Sequence, residues 1–131
     1  MDFDATVVED QFPDVGPPVP GAVYWLRRFS KEGARIILNT MRSVDQDTGD
    51  VLTPAVSFFK KHGIHLYGVN ENPEQKEWTT SPKVHADVYI DDKNFGMPMI
   101  DGIKDPDKEV VDWDKVGPKV MLMIQDKHKE Q

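Results

Sequence analysis

Met1-Asp2-Phe3-Asp4-Ala5-Thr6 places two carboxylates and a hydroxyl at i, i+2 and i+4. Side chains alternate along an extended backbone, so all three lie to one side of it. Carboxylates sharing a face repel each other. A divalent cation removes that repulsion and can then act on a phosphate. The pattern alone carries little weight in a chain where 23 of 131 residues are Asp or Glu. Its weight comes from three later features of the chain, in order: an apolar run ending in Thr40, a lysine at 83, and an apolar run ending in Asp91-Asp92.

These pieces resemble the four motifs of the haloacid dehalogenase (HAD) superfamily of aspartate-nucleophile phosphohydrolases. DxDxT is matched by Asp2-Phe3-Asp4-Ala5-Thr6 and hhhhT by Ile36-Ile37-Leu38-Asn39-Thr40. Lys83 stands for the lone lysine, and Val88-Tyr89-Ile90-Asp91-Asp92 for hhhDD. The surrounding phrases Val69-Asn70-Glu71-Asn72-Pro73 and Ile90-Asp91-Asp92-Lys93-Asn94 are similar to the small capless HAD hydrolases of bacteria and phages. The resemblance covers residues 1–96, and residues 97–131 carry no motif of that set.

A chain of 131 residues is one domain with room for a single core. With 38% hydrophobic and 30% charged residues it has a globular composition. It has no apolar run long enough to span a membrane and no visible signal peptide, so no membrane partner is expected. The absence of cysteine excludes disulfides and thiolate metal sites and fits a cytoplasmic setting. A net charge of −7 argues against nucleic acid as a partner. Lys60, Lys61 and His62, the one short basic cluster, read as the cationic last turn of a helix.

Residues 7–20, with Pro13, Pro17, Pro18 and Pro20, read as an irregular connection. Ala22, Val23, Trp25, Leu26 and Phe29 recur at helical spacing, and Gly33 is a natural stop. Ala34 to Asn39 reads as a buried parallel strand. A turn-rich stretch leads to a helix over about 51–62, with Pro54 in its first turn and Gly63 after it. Ile64 to Val69 and Ala86 to Ile90 read as strands, and Pro118 to Lys127 as a closing helix with Val120, Met121, Met123 and Ile124 on its apolar side. This alternation predicts an α/β, three-layer Rossmann-like (HAD-type) fold with a mostly parallel sheet. The strands at 34–39 and 86–90 should flank the segment ending in Asp2. The family places several apolar residues before its first Asp, whereas only Met1 stands here. We expect a start upstream of Met1; the alternative is a shortened strand over Met1 to Val8.

Ligand sites in open α/β sheets lie beyond the carboxyl ends of the strands, where Asp2, Thr40, Asp91 and Asp92 would converge. The resemblance implies Asp2 as nucleophile, giving an aspartyl-phosphate, and Asp4 as acid and then base. A carboxylate is ionised at neutral pH and needs no activating base. The implied cofactor is Mg²⁺, held by Asp2, the Asp4 carbonyl and Asp91, with Asp92 acting through water or in exchanged order with Asp91. Thr40 and the N–H groups after it would bind phosphoryl oxygens. Lys83 would neutralise charge on nucleophile and phosphate, and Thr6 would brace the loop. Arg42 could reach substrate phosphate or sugar, or lie solvated on the surface. Taken singly, each Asp reads as a cap or turn residue and Lys83 as a surface lysine. Ala5 stands where the family usually has Gly, a methyl at a position of unusual φ.

Neither insertion point of the family holds a cap, since only residues 7–20 and 70–85 are available. An open site suits a small phosphorylated metabolite, such as a nucleotide or sugar phosphate, with a homo-oligomer able to cover it. The expected function is a Mg²⁺-dependent phosphomonoester hydrolase. The alternatives are a catalytically impaired HAD-fold binding protein, or a phosphotransferase.

Overall fold

The computed structural model describes residues 1–129. The chain runs β1 (Val8–Gln11), β2 (Asp14–Pro18), α1 (Ala22–Lys31), β3 (Ile36–Leu38), β4 (Val44–Asp45), β5 (Gly49–Asp50), α2 (Leu52–Lys61), β6 (Leu66–Val69), β7 (Met99–Ile100), β8 (Val110–Val111) and α3 (Trp113–Lys129). One turn of 3₁₀ helix, Gln75–Glu77, lies between β6 and β7. The described strands make four two-stranded sheets: β1–β2, β4–β5 and β7–β8 are antiparallel, and β3–β6 is parallel.

This corrects the expected architecture. There is no extended parallel sheet among the described residues, and so no three-layer Rossmann-like fold. Residues 86–90 form no strand. The reason lies in the ladder partner. The chain beside them is Met1–Asp2, and the bond from Asp2 N to the Ile90 carbonyl (2.9 Å) joins the two segments. On its other side Met1 bonds Ile37 O through its ammonium (2.9 Å) and accepts from Asn39 N (2.8 Å). Two residues give isolated bonds where a strand would give a ladder. A second correction concerns residues 7–20, which form the β1–β2 hairpin despite four prolines. Pro13 sits in its turn and Pro17 and Pro18 at the exposed end of β2, positions that proline tolerates because no central ladder needs its N–H.

The helices follow their apolar periodicity. α1 buries Ala22, Leu26 and Phe29, and Gly33 ends it at φ 92°, a left-handed turn that glycine takes at little cost. α2 buries Ala55, Phe58 and Phe59, and Asp50 accepts the N–H groups of Leu52 (3.1 Å) and Thr53 (2.9 Å) at its start. Pro54 lies in its first turn, where N–H groups have no intrahelical acceptor. Lys60 and Lys61 occupy its last turn, as read from the sequence. α3 begins at Trp113, five residues before the expected Pro118, and carries that proline within it. It buries Trp113, Val116, Gly117, Val120 and Met121 and leaves Met123 exposed. No helix among the described residues is long and apolar enough to cross a membrane.

The core joins the N-terminal loop to α2 and α3. Phe3, fully buried, packs its ring against Phe58 (5.7 Å between centroids) and Phe59 (5.6 Å). The Phe3–Phe58 pair is edge-to-face, a geometry that adds about 0.5–1.5 kcal/mol to the burial itself. Trp25 of α1 lies so close to Gly117 of α3 that a methyl there would overlap its indole ring. We therefore predict that Gly117→Ala, normally favourable in a helix, destabilises the fold by about 1–3 kcal/mol through overpacking. Urea denaturation measures this, and a stability equal to or above wild type would contradict the packing.

Candidate active site

Asp2 and the Asp91-Asp92 pair come together because Asp2 N bonds Ile90 O. One carboxylate oxygen from each of Asp2, Asp91 and Asp92 lies within 4.8 Å of the others, and all three side chains are half-buried. Beyond Phe3 the chain turns tightly: its carbonyl accepts from Thr6 N (3.2 Å), Val7 N (2.8 Å) and Val8 N (3.3 Å). Ala5 sits at φ 62° in that turn, so the position has the left-handed backbone that glycine adopts more readily.

Thr6 is the brace of the cluster. Fully buried, its hydroxyl lies 3.2 Å from Asp2 Oδ2 and 3.3 Å from Asp92 Oδ1, and it accepts from Asp92 N (3.1 Å). A hydroxyl has one proton, so it serves one carboxylate at a time. Burial pushes the Asp2 carboxyl up to about 7; the neighbouring Asp92 carboxylate and the charge of Asp91 act in the same direction, against the Phe3 backbone N–H. The donor set is all oxygen and anionic, held close at an energetic cost that a hard divalent cation would relieve. Asp2, Asp91 and Asp92 therefore fit Mg²⁺.

Thr40 follows β3, next to Met1 through the Asn39 bond. Its N–H donates to Asn70 Oδ1 (2.7 Å) and its hydroxyl accepts from Arg42 N (3.1 Å). Asn70, at φ 55°, also bonds Leu38 O (2.7 Å), so it fixes the end of β3. Arg42 corrects both readings of that residue. It is 2% exposed, which rules out a solvated surface site. Its Nε and Nη2 donate to the two oxygens of Asp4, each at 2.8 Å. Nη1 donates to Pro13 O and Val51 O, and Nη2 also to Asp14 O. All five N–H groups are engaged within the protein, so none remains for a substrate phosphate or sugar.

Lys83 is exposed and makes no ion pair with the three acids among the described residues; its Nζ lies 5.3 Å from the Tyr89 ring centroid. Its backbone is nonetheless fixed, because buried Gln75 bonds Ser81 O (3.2 Å), Lys83 O (2.6 Å) and His85 N (2.7 Å). The cations beside the cluster are the Met1 ammonium, which feels the charges of Asp2 and Asp91, and Lys93, 4.0 Å from Asp92 and 90% exposed. Trp78, 63% exposed, meets His85 edge-on.

Sequence reasoning missed three supports. Asn70 and Gln75 are ordinary polar residues in a loop, although an Asn after a strand is a recognisable left-handed candidate. Trp113 lies in the segment without motifs, yet its buried Nε1–H donates to Thr6 O (2.7 Å), while Val111 N bonds Ala5 O (3.0 Å). Residues 97–129 thus hold the acidic loop from behind.

The raised Asp2 value sets a sign for stability against pH. Between about pH 4 and 7 the folded chain keeps a proton on Asp2 that the unfolded chain, at its ordinary 3.8, has released. The folded state then binds more protons, so stability falls as pH rises through that window and levels above it. In metal-free buffer, the wild type should lose stability from pH 5 to 8 relative to Asp2→Asn. Urea titrations across that range measure the difference, and parallel pH profiles would refute the assignment.

No protein-family model matches this chain, and no curated protein matches it. Among solved structures it is similar to one from Bacteroides thetaiotaomicron, described as the structure of a conserved protein. The two are 29% identical over 96% of this chain and 87% of that one, with a TM-score of 0.69.

Proposed function

We propose that this chain is a Mg²⁺-dependent phosphomonoester hydrolase working through an aspartyl-phosphate on Asp2. The observation that supports it most is the meeting of Asp2, Asp91 and Asp92 within 4.8 Å around a buried threonine. The proposal rests on this cluster and on the motif resemblance, and takes nothing from the fold class. Mg²⁺, held by Asp2, Asp91, Asp92 and the Asp4 carbonyl, would supply charge neutralisation for an anionic phosphoryl group.

In the first step an Asp2 oxygen bonds phosphorus and the bond to the leaving oxygen breaks, the electron pair departing on that oxygen. Asp4 delivers a proton to it. In the second step a water oxygen bonds phosphorus, the Asp2–phosphorus bond breaks, and Asp4 takes the proton of the water. Thr40, at the end of β3, orients phosphoryl oxygens. Lys83 turns from Tyr89 to the bound phosphate, a movement its flexible stem permits while Gln75 keeps the loop in place. A small phosphorylated metabolite suits a site without a cap, and a cytoplasmic setting suits a chain without cysteine.

Asp2→Asn should abolish hydrolysis of a phosphomonoester panel, with the fold intact by circular dichroism. Asp4→Asn should lose about 10² to 10⁴ in rate, partly spared with nitrophenyl phosphate, whose leaving group needs little protonation. Mass spectrometry should then find phosphate trapped on residue 2. Wild-type protein inert toward the whole panel with Mg²⁺ present would defeat the proposal and favour a binding protein.

Mg²⁺ should also raise the melting temperature by binding only the folded state. Asp91→Ala should remove that shift. An undiminished shift in this variant would take Asp91 out of the ligand set.

A further inference from the structure

Arg42 is held in every direction. Its Nη1 donates to Pro13 O (3.1 Å) and Val51 O (3.0 Å), and its Nη2 to Asp14 O (2.7 Å). The first and third carbonyls belong to the tip of the β1–β2 hairpin, and the second precedes α2. Three carbonyls fix a planar guanidinium within its plane. The Phe3 and Phe12 rings also each lie 5.2 Å from its central carbon, adding cation–π contact to the hydrogen bonds. What remains is the fork of Nε and Nη2, and it closes on both oxygens of Asp4.

A bidentate fork of this kind dictates the plane and direction of the carboxylate it holds. We infer that Arg42 is a positioning residue: it aims the Asp4 carboxyl at the leaving oxygen and ties that aim to the hairpin tip and the start of α2. The inference rests on the phosphohydrolase reading above. It is distinct from a purely structural clamp, because its effect on turnover must pass through Asp4 and must depend on how much the leaving group needs Asp4.

The test compares nitrophenyl phosphate with glycerol phosphate, in saturating Mg²⁺, for four proteins: wild type, Arg42→Lys, Asp4→Asn and the double variant. Lysine keeps the charge and loses the fork. Misaiming one reacting group costs about 10²-fold, so Arg42→Lys should lose about 10 to 100-fold in kcat on glycerol phosphate and only about 3-fold on nitrophenyl phosphate, with KM little changed. In the Asp4→Asn background the same substitution should cost nothing further, because its effect has already been removed. Phe12→Ala guards against misfolding of Arg42→Lys, since Phe12 is half exposed and removing it breaks none of the guanidinium's hydrogen bonds. It should show the same substrate dependence, smaller in size. Equal losses on both substrates, or full additivity with Asp4→Asn, would overturn the inference and leave the phosphohydrolase reading standing. A wild type inert on both substrates would overturn the two together.

Discussion

Three half-buried carboxylates within 4.8 Å of one another repel, and the rest of the structure must hold them there. The surrounding contacts meet that demand. Phe3, Val7 and Val8 are fully buried, and each such side chain contributes about 1.5–3 kcal/mol by leaving water. Phe3 and Val7 flank the turn at Ala5, so the apolar burial that draws the loop inward brings Asp2 and Thr6 to the cluster, while the Asp4 carboxylate goes to Arg42. Thr6 then donates to one or the other of the two carboxylates and accepts from Asp92 N, from a site closed to water.

The support comes from parts of the chain with no chemistry of their own. β8 and Trp113 bond the carbonyls of Ala5 and Thr6, and α3 packs on α1 through the Gly117–Trp25 contact. Glu9, 6% exposed, accepts Lys104 N on both oxygens (3.0 and 3.1 Å), fastening the same segment to β1. The donor is a backbone N–H, so the bond satisfies the buried carboxylate's acceptors without neutralising it. Loop, hairpin and closing helix behave as one unit around the acids.

Polar side chains do much of the fixing that sheet ladders would otherwise do. With ladders only two or three residue pairs long, the backbone after β3 and β6 depends on Asn70, and the segment bearing Lys83 depends on Gln75. Arg42 extends the same principle to three elements at once. Among the described residues no buried side-chain nitrogen or oxygen lacks a partner, as close packing of so many polar groups requires.

The sequence by itself determined α1 and α2 and pointed to the acids, while the start of α3 at Trp113 escaped it. α1 and α2 were legible because apolar residues recur at a period fixed by helix geometry, and because Gly33 and Gly63 take positive φ where each helix stops. The meeting of Asp2 with Asp91 and Asp92 was legible through the motif resemblance, since Asp91-Asp92 closes an apolar run but only Met1 precedes Asp2. Ala5 was legible as a position of unusual φ. Tertiary structure alone decided the rest. Residues 86–90 have a strand's composition, but a ladder needs a partner, and Met1–Asp2 offers too few residues. Residues 8–18 have a loop's composition, yet their prolines fall where no central N–H is required. Arg42 reads as an exposed cation in any local window. Its burial follows from acceptors at residues 4, 13, 14 and 51, which no periodicity connects and only the folded chain brings to one place.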